Sequence, residues 1–188
     1  MIDLDELSIV HYCHPSCKPF LNICRLTREE AFKQAYRMAN ENPNTTAFGR
    51  FADFEYYYPR RMITDACIYD MFVLLGGNPQ EKHPLSFVLQ GSDYLHSWFG
   101  NGIKIRIKLA DIPSEYVSFT LGDSMRAVSK NRERITQLQP GQITMYTKEM
   151  LIKELTEFDG SLPEYMNEVA QKYKYIEAQV WNDEYCKV

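Results

Sequence analysis

Several short segments of the chain alternate between apolar and polar residues, which is the pattern of half-buried β-strands. Residues 103–109, IKIRIKL, alternate without exception and place Lys104, Arg106 and Lys108 on the face opposite the isoleucines. Other short runs are rich in β-branched and aromatic residues rather than strictly alternating. Together these segments predict further strands at 7–13, 85–90, 115–121, 143–147 and 174–181.

Capping signals and helical spacing predict helices between these strands. Thr27 with Glu30, and Ser161 with Glu164, have the spacing of capping boxes, so helices are expected to begin at both places. Pro59 stands where a third, longer helix is expected to begin, and a pair of glycines is expected to end it. Strands and helices interleave irregularly, which favours an α+β fold with a mostly antiparallel sheet and flanking helices.

Length and charge narrow the function classes. A chain of 188 residues fits one domain, taken as residues 1–188. The net charge of −4 provides no general attraction for nucleic acid, so a nucleic acid partner is disfavoured, whereas a nucleotide ligand or a protein partner stays open. An acidic N-terminus and the lack of a long apolar run predict a cytoplasmic protein with no membrane association.

Histidines and cysteines concentrate near the N-terminus, in IVHYCHPSC and just beyond it. The group comprises His11, Cys13, His14, Cys17 and Cys24. A structural zinc site is one interpretation, but zinc sites usually add a second ligand pair well downstream, and this sequence has none. A second interpretation is a cysteine nucleophile with a histidine base, and a third is that these are ordinary buried side chains. No metal is therefore assigned, and zinc remains an alternative.

Four segments together resemble the ADP-ribosyltransferase-like domains. The segments are IVHYCHPS followed by FLNI, then SDYLHSWFGNGIKIRIKLADI, YVSFTLGDS and YIEAQVW. Their order suits such a domain, and the resemblance extends over most of the chain. The resemblance implies an enzyme that uses NAD as its substrate and transfers ADP-ribose to a protein or nucleic acid acceptor.

The resemblance also implies roles for individual residues. His11, on the first strand, would hold the NAD ribose or phosphates, and Glu177, on the late strand, would be the catalytic glutamate. Ser118 and Thr120 lie where the family keeps polar residues beneath the nicotinamide, and Tyr12 is expected to stack on a ring of the ligand. His11 and Glu177 are thus the predicted catalytic pair.

The chemistry supports a carboxylate in this role. Breaking the bond between ribose C1′ and nicotinamide develops positive charge on the sugar, and a carboxylate near the ribose hydroxyls would stabilise that charge. Strand alternation equally allows Glu177 to face solvent. A location in the same cleft as His11 and Ser118 would distinguish the enzyme from a surface glutamate.

Arg60 and Arg61 are the predicted phosphate ligands. Both follow Pro59 at the expected start of a helix, where unpaired backbone N–H groups attract anions. Ion pairs with nearby acidic side chains are the competing interpretation.

A non-catalytic interaction or regulatory protein is the main alternative function. Its docking surface would be the tyrosine-rich segment before Pro59 together with the edge formed by residues 103–109. Such a protein gives no reason for His11, Ser118 and Glu177 to converge.

Overall fold

A six-stranded antiparallel sheet forms the centre of the molecule in a computed structural model that describes residues 3–131 and 145–187. The strands are β1 (Ser8–Cys13), β2 (Leu85–Leu89), β3 (Ile103–Lys108), β4 (Val117–Leu121), β5 (Met145–Thr147) and β6 (Ile176–Val180). Their spatial order is β3-β1-β2-β6-β4-β5, and every neighbouring pair is antiparallel. The α+β fold with an antiparallel sheet is confirmed. Of the strand predicted at 143–147, residues 143 and 144 lie outside the described residues.

Helices flank this sheet. They are α1 (Arg28–Glu41), α2 (Thr46–Gly49), α3 (Phe54–Leu74), α4 (Asp93–Trp98), α5 (Ser124–Asn131), α6 (Lys148–Glu157) and α7 (Leu162–Tyr173). Both predicted capping boxes are confirmed, since Thr27 and Ser161 accept the backbone N–H groups of Glu30 and Glu164. Within 3–131 and 145–187, no helix has the length and apolar composition of a bilayer-crossing segment.

The start of α3 differs from the prediction. Asp53 caps this helix by accepting a backbone N–H of the first turn, and Phe54 is fully buried as its first residue. Pro59 therefore lies inside the helix, where it removes one backbone hydrogen bond. Aromatic packing by the first turns outweighs that cost. Arg60 and Arg61 consequently lie well past the helix N-terminus, and the predicted anion site at its first turn is wrong.

Helices cover both faces of the sheet. On one face, α6 and α7 pack their apolar residues onto the main core. On the other, Phe72 of α3 stacks on the fully buried Trp181, with ring centroids 5.7 Å apart, and Val128 of α5 packs in the same cluster. The second face of β6 also carries Glu177 and Gln179, both buried although they are polar. Each of these two side chains must find hydrogen-bond partners there.

β3 is an edge strand, as its alternating sequence suggests. Ile107 packs against the main core, whereas Ile103 at the opposite end of the strand is 39% exposed. The predicted apolar face of β3 is therefore buried only towards Leu109.

Candidate functional site

β1 and β2 separate after a short stretch of pairing, and this gap defines the candidate site. The two strands pair only at Ile9 with Leu89 and at Val10 with Val88. Beyond that point β1 continues to Cys13 along β3, and β2 begins at Leu85 along β6. The sheet is thus open between them, and a cavity lies at the opening. Its walls include His11, Tyr12, Arg50, Arg61, Tyr175 and Glu177.

Glu177 presents a fixed carboxylate to this cavity. Its Oε1 accepts the hydroxyl of Ser86 at 3.0 Å, and its Oε2 accepts the backbone N–H of Ser124 at 2.7 Å. Burial raises the pKa of Glu177, and the neighbouring Arg61 guanidinium opposes that rise. The side chain is therefore a buried, oriented acid rather than a solvent-facing strand residue.

Arg61 connects Glu177 to a second buried carboxylate. Its Nη2 lies 2.6 Å from Asp65 Oδ1, and its Nη1 donates to the Ser124 hydroxyl at 3.3 Å. Burial disfavours the charge, but the carboxylates of Asp65 and Glu177 keep the pKa of Arg61 above its ordinary value. Asp65 Oδ2 also lies 2.8 Å from His83 Nδ1. The predicted phosphate ligand Arg61 thus lines the cavity, within a network of internal partners.

His11 fills the gap between the separating strands. Its Nδ1 lies 3.0 Å from the Ser86 carbonyl oxygen, and its Nε2 lies 3.3 Å from the Phe20 backbone nitrogen. A carbonyl only accepts and an N–H only donates, so Nδ1 carries the proton and Nε2 accepts. Burial lowers the pKa of His11, which favours this neutral form. The single N–H of the neutral His11 ring therefore donates to the Ser86 carbonyl and is not available to a ligand.

His11 and Glu177 lie on opposite faces of the sheet. The His11 ring packs on Phe87 at 5.3 Å between centroids, while Glu177 pairs across the sheet with Val88, the next residue along β2. The open gap nevertheless lets both side chains line one cavity. His11 and Glu177 therefore line the same cavity from opposite faces of the sheet.

Tyr12 lines the cavity on the Glu177 side. Its hydroxyl accepts the backbone N–H of Ser92 at 2.7 Å, which fixes the ring at the start of α4. Its ring centroid lies 5.7 Å from that of His96. A fixed aromatic face of this kind can support a planar ligand group.

Arg50 is a cavity residue that sequence reasoning missed. Its guanidinium carbon lies 5.2, 5.2 and 5.0 Å from the ring centroids of Phe51, Tyr57 and Trp98. These distances allow cation–π attraction to each ring. Its buried Nε has no hydrogen-bond partner among the described residues. Arg50 thus brings a positive charge, surrounded by aromatic rings, to the cavity wall.

Tyr175 and Asp123 also line the cavity and were missed. Tyr175 precedes Glu177 by two residues, so strand alternation could have placed the two on one face. Burial raises the pKa of Tyr175, which keeps its phenol neutral. No local pattern distinguished Asp123 from an ordinary turn residue.

Ser118 and Thr120 lie outside the cavity. Ser118 donates to Gln179 Oε1 at 2.9 Å and accepts the Trp181 indole N–H at 2.9 Å. Thr120 accepts Gln179 Nε2 at 3.0 Å. Because Trp181 packs over this part of the sheet, both hydroxyls satisfy internal groups, and neither lines the cavity.

Arg60 does not line the cavity either. It is half-buried on α3, and its Nη1 donates to the Tyr56 hydroxyl at 2.6 Å. Its guanidinium also lies over the Tyr56 ring, 4.6 Å from the centroid. Of the predicted site residues, the cavity therefore includes His11, Tyr12, Arg61 and Glu177, and leaves out Arg60, Ser118 and Thr120.

The N-terminal histidines and cysteines do not form the cluster considered as a zinc site. His14 bonds to Ser16, whereas the ligand atoms of Cys24 lie within 4.8 Å of those of Asp65 and His83. Asp65 is already paired with Arg61, so a metal ion there would lie beside a guanidinium. The side chains of Asp65 and His83 are better explained as a hydrogen-bonded pair that holds Arg61 in place.

Gly122 forms the turn that aims the Ser124 N–H at Glu177. Its φ of +75° is in the left-handed region, and its N–H donates to the Tyr175 carbonyl at 2.8 Å. An added Cβ would lie 3.0 Å from the Tyr173 carbonyl oxygen. This position therefore requires glycine.

Gly122→Ala is expected to lower the free energy of unfolding by about 1–3 kcal/mol, because alanine is strained at positive φ. Urea denaturation followed by circular dichroism measures the change. Gly49→Ala is the matched control, since an added Cβ there has no atom within 4 Å and the backbone is helical. Equal stability of the two variants would contradict the role assigned to this turn.

No family model, curated protein or solved structure matches the chain in comparisons with known proteins. The chemistry of the cavity is therefore the basis for assigning a function.

Proposed function

We propose that the protein is an ADP-ribosyltransferase-like enzyme that binds NAD as its substrate and transfers ADP-ribose to a protein or nucleic acid acceptor. One observation carries the proposal: Glu177, a buried and doubly hydrogen-bonded carboxylate, lines the same cavity as the positively charged side chain of Arg50. None of the five cysteines is in a disulfide, which fits a cytoplasmic location.

Glu177 would act on the nicotinamide ribose. The bond between ribose C1′ and the nicotinamide nitrogen breaks, its electron pair leaves with nicotinamide, and positive charge develops on the sugar. Each carboxylate oxygen of Glu177 already accepts one hydrogen bond and has a further lone pair for a ribose hydroxyl. The acceptor nucleophile then bonds to C1′ and loses its proton to solvent.

Arg61 would be a positioning residue. Glu177 has to be ionised to stabilise a cationic sugar, but burial alone would favour its protonated form. The Arg61 guanidinium opposes that effect, and Asp65 holds the guanidinium in place at 2.6 Å. Arg61 would therefore maintain the charge of Glu177 instead of binding the phosphates directly.

Arg50 would bind the diphosphate of NAD. The aromatic rings around Arg50 hold a partly desolvated guanidinium at the cavity. None of the ion pairs in the described part of the chain involves Arg50, so a bound anion would not compete with an internal carboxylate for this guanidinium. Guanidinium–phosphate hydrogen bonds are strong because both groups are charged. His11 would shape the opposite wall, by holding Phe20 through its Nε2.

Arg50→Met is expected to weaken NAD binding by about tenfold or more, because a charged hydrogen bond contributes roughly 1.5–3 kcal/mol. Binding of nicotinamide riboside, which lacks the diphosphate, should not change. Isothermal titration of both ligands into each protein measures the difference.

Arg28→Met is the matched control. Arg28 also lies over an aromatic ring, 4.7 Å from the Phe32 centroid, but it is exposed and outside the cavity. Unchanged NAD affinity in Arg50→Met, or no NAD binding by the unmodified protein, would contradict the proposal.

A further inference from the structure

Two cysteines meet beside the cavity at the end of β1. The Cys17 N–H donates to the His14 carbonyl at 2.8 Å, which closes a turn and returns Cys17 towards Cys13. The Cys13 Sγ lies 3.3 Å from the Cys17 carbonyl oxygen, so the Cys13 thiol packs against the backbone of Cys17. Both residues line the cavity. The turn therefore brings the Cys13 thiol against Cys17, two residues beyond His11 in the sequence.

The two thiols differ in reactivity. The hydrogen bond with Cys17 and burial raise the pKa of Cys13. The neighbouring Cys13 thiol lowers the pKa of Cys17 to about 7, and Arg37 contributes in the same direction. Cys17 is also the more exposed of the two. The arrangement thus pairs an accessible nucleophilic sulfur with a buried neighbouring thiol.

We propose that Cys13 and Cys17 are a redox-active pair that hydrogen peroxide converts into a disulfide. The Cys17 thiolate attacks one peroxide oxygen, the O–O bond breaks, hydroxide leaves and a sulfenic acid forms. The Cys13 sulfur then attacks the Cys17 sulfur, and the S–O bond breaks. The departing oxygen takes up the Cys13 proton and leaves as water. Two thiols are oxidised, and one peroxide is reduced to two waters.

The other buried cysteines lack such a partner geometry. Burial raises the pKa of Cys24 to about 12, and burial also raises the pKa of Cys186 to about 12. High pKa values and low exposure make both sulfurs poor nucleophiles. Peroxide should therefore select the Cys13–Cys17 pair over Cys24 and Cys186.

Disulfide formation would alter the cavity wall. The Cys13 thiol hydrogen is lost on oxidation, and with it the hydrogen bonds to the carbonyls of His14 and Cys17. The turn from Cys13 to Cys17 has to change its conformation. This turn directly follows His11 and Tyr12, which line the cavity. Weaker NAD binding after oxidation is the expected consequence, and that consequence alone rests on the proposed function.

The test treats the folded protein with hydrogen peroxide in modest excess and measures intact mass, free thiols and peptide masses. The expected product is lighter by about 2 Da and contains a disulfide in the peptide that carries both Cys13 and Cys17. Dithiothreitol should reverse the change. Cys13→Ser should instead accumulate a Cys17 sulfenic acid that dimedone traps, and Cys17→Ser should react at least about tenfold more slowly.

Cys24→Ser is the matched control and should form the disulfide like the unmodified protein. Retention of all thiols under these conditions would overturn the inference, as would oxidation of Cys24 or Cys186 at the same rate as Cys17. Thermal unfolding of each variant checks that it is folded before oxidation. Because the readout is mass, failure of NAD binding leaves this test valid, and failure of the disulfide leaves the NAD proposal intact.

Discussion

Replacing Glu177 with glutamine is expected to slow nicotinamide release from NAD by about 10²–10³-fold, since one electrostatic stabiliser of a transition state typically contributes that much. Glutamine preserves the shape of the side chain. Its amide oxygen can accept the Ser124 N–H, and its NH₂ group can donate to the Ser86 hydroxyl oxygen. The negative charge that is proposed to stabilise a cationic ribose is lost. NAD binding should remain within a few-fold of the unmodified protein, because the proposed contact with Arg50 is unchanged.

Chromatographic measurement of free nicotinamide gives the rate, and titration gives the affinity. Glu168→Gln is the control, since Glu168 is exposed on α7 and does not line the cavity. An unchanged rate in Glu177→Gln would remove Glu177 from the catalytic role. A parallel loss of binding and rate would assign it to ligand binding instead.

Replacing Arg61 with methionine is expected to lower the free energy of unfolding by roughly 3–5 kcal/mol, the usual cost of removing one partner from a buried ion pair. Arg61 and Asp65 are both buried, and Glu177 lies close enough to affect the pKa of Arg61. Methionine fills a similar volume but leaves two buried carboxylates without their cation. Chemical denaturation with two spectroscopic probes measures the change.

Arg60→Met provides a control one residue away on the same helix. Arg60 is only half-buried and its guanidinium contacts the exposed Tyr56, so this substitution should change stability by less than about 1 kcal/mol. The double variant Arg61→Met, Asp65→Asn should recover part of the loss, because it removes one of the uncompensated charges. Equal effects of the Arg60 and Arg61 substitutions would contradict the buried network.

Local signals predicted the parts of the fold that local interactions determine. The capping boxes at Thr27 and Ser161 involve residues three positions apart, and both helices begin there. The start of α3 was misplaced because burial of Phe54, a tertiary effect, outweighs the preference of Pro59 for a first turn.

The cavity depends on pairings that no short segment encodes. The gap between β1 and β2 arises because β1 continues along β3 while β2 continues along β6, and these strands are far apart in the sequence. Arg50 had no periodic signal, and only the packing of three aromatic rings around it reveals a partly buried cation.

The sequence predicted strands that carry Ser118 and Glu177 but could not give the surroundings of these two residues. Both lie on the same face of the sheet, and both are buried. Trp181 covers the end of that face that carries Ser118, and its indole N–H uses the serine hydroxyl. Glu177 lies nearer the gap and lines the cavity. Whether a polar side chain on this face can contact a ligand therefore depends on whether Trp181 covers it.

A crystal structure with a carba analogue of NAD, which cannot release nicotinamide, tests the central claim most directly. The account predicts hydroxyls of the nicotinamide-side ring within about 3 Å of the Glu177 carboxylate, with the diphosphate beside Arg50. An analogue bound elsewhere on the molecule, or bound in the cavity with that ring turned away from Glu177, would contradict it.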